Sequence, residues 1–319
     1  MVFYDKIHLM ESQGISVLKI VCVGEVMAEL RLNGGGYAMG FAGDTFNTAI
    51  YCRRLLAPEH EVGYVSRLGL DPLSEDCLAF ALSEGLEISD IRHDPGRNIG
   101  LYAVRTDEHG ERTFSYWRNQ SAARNLFDDE SELRSLDGAG IVCLSAITLA
   151  ILSPETRQIL LDKIGALRSQ GALFAFDSNY RPSLWESEDV ARENVTLAWR
   201  LADIALPSLD DELALFGDES EHGVLERLRR HGCRKGALKR GPIGPAAINP
   251  ILVLDGPFEP AGTVVDTTAA GDSFNGAYLA AFASGRDERT CIAEAHRLAR
   301  HVVTFPGAIV PTPSAPRRA

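Results

Sequence analysis

Short apolar segments alternate with longer amphipathic ones along most of this chain, and this alternation limits the folds open to it. Strand-like runs occupy residues 19–24, 60–69, 141–147, 172–176 and 203–206. Helical patterns occupy residues 75–84, 154–169 and 288–303. Strands separated by helices pair in parallel, because each helix returns the chain to the same end of the sheet. We therefore predict an α/β fold with a mostly parallel central sheet flanked by helices.

Residues 97–120 interrupt this alternation. A segment with period-two character at 99–105 leads into the turn signal Asp107-Glu108-His109-Gly110 and returns as a second such segment at 111–118. The pattern predicts a β-hairpin inserted into the α/β chain. An isolated hairpin cannot bury both of its faces, so we expect one face to cover another part of the protein.

Charge and cysteine usage exclude several classes of function. The chain has 32 Lys and Arg against 44 Asp and Glu, a formal charge of −12, which argues against a nucleic-acid binder. Its six cysteines are widely scattered and form no metal-ligand pattern with histidine. Residues 1–18 lack the apolar core of a signal peptide or membrane span, so we expect a cytoplasmic protein with an N-terminal extension. An anionic substrate would need a locally basic pocket.

Residues 264–276 combine an apolar run, four small residues and a helical pattern, which predicts a loop that enters a helix N-terminus. Small side chains at Ala269, Ala270 and Gly271 let backbone amides converge where the positive end of the helix dipole points. Asp272 lies in the first turn, where a carboxylate can accept a proton from a hydroxyl. The alternative is that Asp272 only caps the helix.

Residues 41–51 open a second helix. Asp44 or Thr45 is a plausible N-cap, and Asn47 offers donors and acceptors to a polyol. Glycine at position 43 would let a ligand approach the backbone. A simple capped helix is the alternative interpretation of the same residues.

Taken together, these motifs resemble those of the ribokinase-like (PfkB) sugar kinases over roughly residues 19–310. Residues 266–274 match the family signature D-T-x-G/A-A-G-D-x-F, and the G-D-T-F-N-T run at 43–48 is similar to the 2-keto-3-deoxygluconate kinases of that family. The resemblance implies a ribokinase-like three-layer α/β fold. It makes Asp272 the catalytic base and Ala269, Ala270 and Gly271 the anion hole. Ala42 stands where the family has its first glycine.

The resemblance also implies a sugar site and a lid over it, built from residues near 25–41 and 97–120. The substrate-binding positions are Gly43, Asn47, Tyr102, Tyr116, Arg118, Arg181 and Asp272. Arg118 and Arg181 would pair with a substrate carboxylate, because a guanidinium binds carboxylates through two parallel hydrogen bonds. A solvent-exposed lid arginine and an incidental arginine in a polar turn remain the alternatives.

ATP and Mg²⁺ are the implied co-substrate and metal, and a monovalent cation beside the anion loop stays open. The ATP-binding positions are Asn179, Ser208, Lys239, Gly241, Gly244 and Gly271. Lys239 and Arg240 would supply the cationic charge that a protein of formal charge −12 needs near ATP. Asp211 stands near the place of the family's acidic magnesium residue, whereas Ser208 replaces its usual asparagine. Hydrated Mg²⁺ keeps several waters, so Asp211 can act through them.

The resemblance therefore implies ATP-dependent phosphorylation of 2-keto-3-deoxygluconate. Alternatives are a PfkB-type kinase of another sugar or sugar acid, and a catalytically silent sugar-acid sensor on the same fold. Beyond sugar acid and ATP, we expect no nucleic-acid or membrane partner. We expect a homo-oligomer, for which the lid is a candidate interface. Residues 311–319 form a Pro-rich C-terminal tail.

Overall fold

The computed structural model describes residues 17–312 except 34, 107–111 and 255–256. The predicted turn at Asp107–Gly110, most of the N-terminal extension and most of the C-terminal tail therefore lie outside the described residues. In the described part the strands are numbered β1 to β12 and the helices α1 to α9 in chain order.

A six-stranded sheet with all neighbours parallel forms the centre of the fold, in the order β10-β9-β8-β1-β4-β5. Its strands are β1 (Lys19–Val23), β4 (Glu61–Leu68), β5 (Ile91–His93), β8 (Ile141–Ser145), β9 (Leu173–Asp177) and β10 (Ile204–Ala205). β8 and β9 are buried throughout, as expected for parallel strands that carry helices on both faces.

Helices cover both faces of this sheet and enclose two apolar cores. They are α1 (Asp44–Leu55), α2 (Pro72–Ser83), α3 (Ala146–Ile151), α4 (Pro154–Ser169), α5 (Glu188–Leu201), α6 (Leu209–Phe216), α7 (Glu221–Arg230), α8 (Ala270–Ala283) and α9 (Glu288–Val302). Side chains of α1, α2, α8 and α9 fill one core. The other contains side chains of α3, α4, α5 and α7. The predicted three-layer arrangement is confirmed.

A second, four-stranded sheet, here called the inserted sheet, has the order β3-β2-β6-β7. Its strands are β2 (Met27–Asn33), β3 (Gly36–Ala42), β6 (Gly100–Thr106) and β7 (Arg112–Trp117). The two outer pairs are antiparallel and β2 pairs with β6 in parallel. Met27, Tyr102 and Val104 on one face pack against Ala269 and Ala308, so this face lies over the loop before α8.

The remaining strands, β11 (Ala237–Leu238) and β12 (Ala246–Ala247), form a short antiparallel pair. Two local predictions need correction. The N-cap of α1 is Gly43, without a side-chain cap, rather than Asp44 or Thr45. α2 begins at Pro72 rather than near residue 75, with Asp71 accepting a hydrogen bond from the Ser74 amide. Within the described residues, no helix has both the length and the hydropathy that crossing a bilayer requires.

Candidate active site

Polar residues from distant parts of the chain meet at the carboxyl edge of the main sheet. Ser145 is the last residue of β8, Asp177 the last of β9, and Ser208 follows shortly after β10. Parallel strands end on the same edge, which is where open α/β sheets bind their ligands. The first residue of α1, Asp44, reaches this edge and accepts a hydrogen bond from the Ser145 hydroxyl.

The loop before α8 has the geometry of an anion cradle. Ala269, the N-cap, adopts the left-handed conformation at φ 60°, which turns the chain sharply into the helix. The amides of Gly271 and Asp272 fall in the first turn, where a helix supplies no acceptor of its own. The Ala270 amide instead donates to the Thr267 carbonyl at 3.2 Å, so this predicted donor serves the loop in the present conformation.

Asp272 has the electrostatics of a general base. Burial raises the pKa of its carboxyl to about 8, and the charges of Asp44 and Asp177 add to this effect. A hydrogen bond from Asn47 and the charge of Lys239 act in the opposite direction. Part of the residue is still accessible to solvent, so a small ligand can reach it.

Asn47, on the first turn of α1, holds this carboxylate. Its Nδ2 donates to Asp272 Oδ2 at 2.8 Å, and Thr48 Oγ1 donates to the Asp272 carbonyl at 3.2 Å. Gly43 is required for a reason different from ligand approach. A Cβ at this position would lie 2.1 Å from the Glu25 carbonyl oxygen, so glycine lets the helix start pack against the chain after β1.

The ammonium group of Lys239 lies beside the anion cradle. Its Nζ lies 3.4 Å from where a Cβ on Gly271 would stand. It donates to Asp177 Oδ2 at 2.7 Å and to Asn275 Oδ1 at 3.1 Å, while Asn275 Nδ2 donates to the same Asp177 oxygen at 2.6 Å. Two strand ends and α8 thus fix the position of one ammonium group.

A second polar group lies behind the cradle. Asn179 is buried, and its Nδ2 donates to Asp44 Oδ2 at 2.9 Å. The backbone amide of Asn179 donates to Asp177 Oδ1 at 3.2 Å. Burial also raises the pKa of the Asp44 carboxyl, an effect that the Ser145 hydroxyl opposes. In this conformation Asn179 orders the carboxylates around the cradle.

A cleft of about 230 Å³ opens beside the start of α8, and we call it the nucleotide cleft. It brings together the predicted positions Ser208, Lys239, Gly241, Gly244 and Gly271. Further lining residues include Arg240, Ala270, Phe274, His296 and Ala299. The predicted position Asn179 is absent from this lining.

The loop between β11 and β12 closes one side of the nucleotide cleft. Gly244 has φ 86°, and a Cβ there would lie 2.6 Å from the Phe258 side chain, so only glycine fits. Arg240 does not supply a free charge as the sequence suggested. Its Nη1 pairs with both Glu221 carboxylate oxygens, and its Nε donates to the Gly244 carbonyl at 2.8 Å.

The inserted sheet places Tyr102 and Tyr116 side by side on the face that lies over Ala269. They are register partners on β6 and β7, with ring centroids 5.8 Å apart. Tyr102 is buried and donates its hydroxyl to Glu29, whereas Tyr116 is about half exposed. Burial raises the pKa of the Tyr102 hydroxyl, and the neighbouring Glu29 carboxylate raises it further. Tyr102 can therefore offer a ligand only a lone pair or its ring.

Arg118 is buried at the end of β7 and forms an ion pair with Glu25. The pairing is incomplete, since Glu25 Oε1 and Arg118 Nε have no hydrogen-bond partner in the described part of the chain. Buried polar atoms without partners are costly unless a ligand or water satisfies them. One acceptor and one donor of this buried pair are therefore unsatisfied within the described residues.

Arg181 lies elsewhere at the same edge of the sheet. Its side chain is about half exposed, and Nη1 is 3.3 Å from Asp211 Oδ1. Burial raises the pKa of the Asp211 carboxyl, and Arg181 lowers it. The structure holds Arg118 and Arg181 on different carboxylates, so the predicted two-arginine clamp is not assembled in this conformation.

A model of the pfkB family carbohydrate kinases matches residues 17–315. The chain belongs to this family. The 2-dehydro-3-deoxygluconokinase of Haemophilus influenzae is 38% identical over 92% of this chain and 95% of that protein. The enzyme of the same name from Escherichia coli K12 is 36% identical over 93% of this chain and 99% of its own length. The predicted family is confirmed.

Solved pfkB-type structures share the fold. A fructokinase from Vibrio cholerae, solved with fructose, ADP and calcium ion, superposes with a TM-score of 0.80 at 22% identity, covering 91% of this chain and 94% of that one. A 2-dehydro-3-deoxygluconokinase from Thermotoga maritima gives 0.80 at 20% identity, with 92% and 94% coverage. Identities this low bear on the fold alone, which they confirm.

Several residues of this pfkB site were missed from the sequence. Glu25 lies two residues beyond the end of β1, and Asp177 ends β9, so their strand-end positions were an available signal. Asn275 and His296 have no such signal, because they reach the site only through the packing of α8 and α9. Glu29 lies within β2 of the inserted sheet rather than at a strand end, so its position in the sequence carried no signal for its role.

Proposed function

We propose that this pfkB-family chain transfers the γ-phosphoryl group of ATP to the terminal hydroxyl of 2-keto-3-deoxygluconate. The observation that carries the proposal is the position of Asp272, a carboxyl with a raised pKa beside a helix N-terminus and the Lys239 ammonium. The names and coverage of the Haemophilus and Escherichia relatives support the substrate.

In this proposal Asp272 accepts the proton of the attacking hydroxyl. A carboxyl with a pKa near 8 is a stronger base than an ordinary aspartate, which favours proton transfer near neutral pH. The hydrogen bond from Asn47 orients one carboxylate oxygen and leaves the other for the substrate. The amides of Ala269, Ala270 and Gly271 are proposed to stabilise charge on the transferring group.

ATP is proposed to occupy the nucleotide cleft, with its phosphates toward Lys239 and Gly271. A −12 protein repels polyphosphate at long range, so a fixed ammonium at the cradle offsets that repulsion locally. Ser208, Gly241 and Gly244 line the cleft and are proposed to contact the nucleotide. Asn179 remains a proposed contact that would have to release Asp44.

Magnesium is proposed to bind through water near Asp211, a partly accessible carboxylate at the same edge of the sheet. When bound, it neutralises phosphate charge and orients the phosphoryl group. Among the described residues, no cluster of three or more His, Cys, Asp or Glu is arranged to hold a metal ion. An outer-shell site fits this sparse donor set. A monovalent cation beside the anion loop remains a further expectation, testable by activation with KCl.

The sugar acid is proposed to lie between Asp272 and the inserted sheet. Gly43 and Asn47 would flank its reacting end, Tyr102 and Tyr116 its carbon chain, and the Arg118–Glu25 pair its polar groups. Arg181 would bind the substrate carboxylate only after breaking its ion pair with Asp211. The inserted sheet then acts as a lid, which limits hydrolysis of ATP by keeping water from the γ-phosphate.

We also propose a cytoplasmic homo-oligomer that associates through the outer face of the inserted sheet. Leu32, Tyr37, Met39 and Trp117 are 46%, 58%, 46% and 60% exposed on this face. Their register partners place them opposite the Tyr102 face. Exposed large apolar side chains that share one face of a sheet are characteristic of an association site. All six cysteines are buried free thiols, which suits a reducing compartment.

A coupled assay of ADP release against a panel of sugar acids and their neutral analogues tests the function. The proposal predicts much higher kcat/KM for 2-keto-3-deoxygluconate than for fructose or ribose. Preference for a neutral sugar would assign the chain to another pfkB activity. Tight sugar-acid binding without turnover would favour the sensor alternative.

A further inference from the structure

A second cavity, of about 460 Å³, lies outside the proposed kinase site. It is open to solvent and is lined by residues of the 3₁₀ helix Ala122–Asn125, of the connection between α3 and α4, and by residues 184–186. Its lining shares no residue with the proposed sugar, nucleotide or magnesium positions. Polar lining comes from Arg97, Asn119, Arg124 and Asn125, and apolar lining includes Leu184 and Trp185.

Arg97 and Arg124 are both half-buried, yet in the described part of the chain neither forms a salt bridge with a carboxylate. Partial burial of a guanidinium removes water from a permanent charge, a cost that proteins usually offset with an acidic partner.

The nearby carboxylates are already engaged. Asp94 accepts hydrogen bonds from the Gly96 amide at 2.8 Å and from Asn125 Nδ2 at 2.7 Å. Glu186, which also lines the cavity, pairs with Arg157 at 3.0 Å. The charge of Arg97 also lowers the pKa of Asp94, so this carboxylate partly offsets one guanidinium. Among the described lining residues, Arg97 and Arg124 still outnumber Glu186, which leaves the cavity cationic.

Another wall of the cavity is apolar. Trp185 is 8% exposed, and the Arg157 guanidinium lies 4.7 Å from its ring centroid on one side. Ile151, Leu152 and Leu184 complete this wall. A ligand that suits both walls has an anionic group at one end and a carbon skeleton at the other.

We propose that this cavity binds a small organic anion of the size of a sugar acid or sugar phosphate. Arg97 and Arg124 pair with its carboxylate or phosphate, and the Trp185 wall contacts its carbon chain. The site is separate from the kinase proposal, because none of its residues is assigned to substrate, nucleotide or metal.

The test uses the full chain with gluconate, glucose 6-phosphate and neutral glucose as probes. Binding of each probe is measured by calorimetry and by tryptophan fluorescence. We expect one or both anionic probes to bind and glucose to fail, and the better anion identifies carboxylate or phosphate as the natural group. Trp185→Phe should remove the fluorescence change, since the other tryptophans, Trp117 and Trp199, lie outside the cavity lining.

Arg97→Ala and Arg124→Ala should each weaken anion binding by roughly tenfold or more through loss of a charged hydrogen bond. The matched control Arg92→Ala removes an exposed arginine outside the lining and should leave binding unchanged. Steady-state kinetics with the sugar acid should stay at wild-type values in all three variants. Arg97→Gln and Arg124→Gln replace the alanine variants if thermal unfolding shows that these are destabilised.

Three results would overturn the proposal. One is the absence of binding by either anion at millimolar concentration. Another is unchanged affinity in both cavity variants. The third is a rise in the sugar-acid KM that equals the loss of probe affinity, which would place the probe in the kinase site instead.

Discussion

Asn47 Nδ2 donates a hydrogen bond to Asp272 Oδ2 at 2.8 Å across 225 positions of sequence. It joins the first turns of α1 and α8 at the carboxyl edge of the sheet. α8 has no side-chain cap at its N-terminus, so the Asp272 carboxylate is directed toward another helix rather than toward its own first turn. The contact argues against a purely capping role for Asp272 and makes its protonation the centre of the first predictions.

Activity should depend on pH through Asp272. With a pKa of about 8 in the free enzyme, this carboxyl is mostly protonated at pH 7 and becomes a usable base as the pH rises. We expect kcat/KM for the sugar acid to rise about tenfold per pH unit below this pKa and to level off above it. A profile that is flat between pH 6 and pH 9 would exclude the proposed base.

Asp272→Asn should separate stability from catalysis. The raised folded-state pKa means that the native protein keeps a proton that the unfolded chain has lost, so wild-type stability falls as pH rises from about 4 to about 8. The variant removes this titration. Denaturant unfolding should show little difference near pH 4 and a variant that is increasingly more stable than wild type toward pH 8. Turnover should fall by ~10²-fold or more. Parallel stability curves would contradict the raised pKa.

Asp177 and Lys239 should move the activity profile in opposite directions. The Asp177 charge raises the pKa of Asp272 and the Lys239 charge lowers it. Asp177→Asn should therefore shift the acidic limb of the kcat/KM profile to lower pH, and Lys239→Gln should shift it to higher pH. Lys239→Gln should also raise the KM for ATP. Ser131→Ala, far from the site on a surface 3₁₀ helix, serves as the control. Shifts of the same sign would refute this electrostatic account.

Arg181→Ala tests the carboxylate specificity. Loss of one charged hydrogen bond costs ~1.5–3 kcal/mol, so the KM for 2-keto-3-deoxygluconate should rise roughly 10- to 100-fold while that for a neutral polyol analogue changes little. Arg192→Ala, which removes a partly exposed arginine paired with Glu188, is the matched control. Equal losses on acidic and neutral substrates would assign Arg181 to phosphate binding or to Asp211.

Trp117→Glu tests the proposed association surface. Trp117 ends the edge strand β7 on this exposed apolar face. A charge there should shift the protein toward monomer in sedimentation velocity if the face is buried by association, because a desolvated unpaired carboxylate is costly. Val253→Glu, at a site that is 75% exposed elsewhere, should leave the mass unchanged. An unaltered assembly in Trp117→Glu would place the interface on another surface.

The strand and helix layers were predictable because local periodicity records which side of an element is buried. Five of the six strands of the parallel sheet follow from apolar runs separated by helical patterns, whereas the three-residue strand β5 was not predicted. The loop into α8 follows from small residues placed before an amphipathic segment. Arg240 shows the limit of this reasoning, since its charge suggested a nucleotide contact but its partners are Glu221 and loop carbonyls.

The sequence alone determined the order of the elements, the family signature and the identity of the acid at position 272, since each is encoded within a few neighbouring residues. Only the tertiary structure decided which carboxylates surround that acid. Asp44 and Asp177 reach it from different elements, and their charges, added to burial, set its pKa. Electrostatic interaction depends on distance in space and on the solvent excluded between groups, and neither can be obtained from separation along the chain.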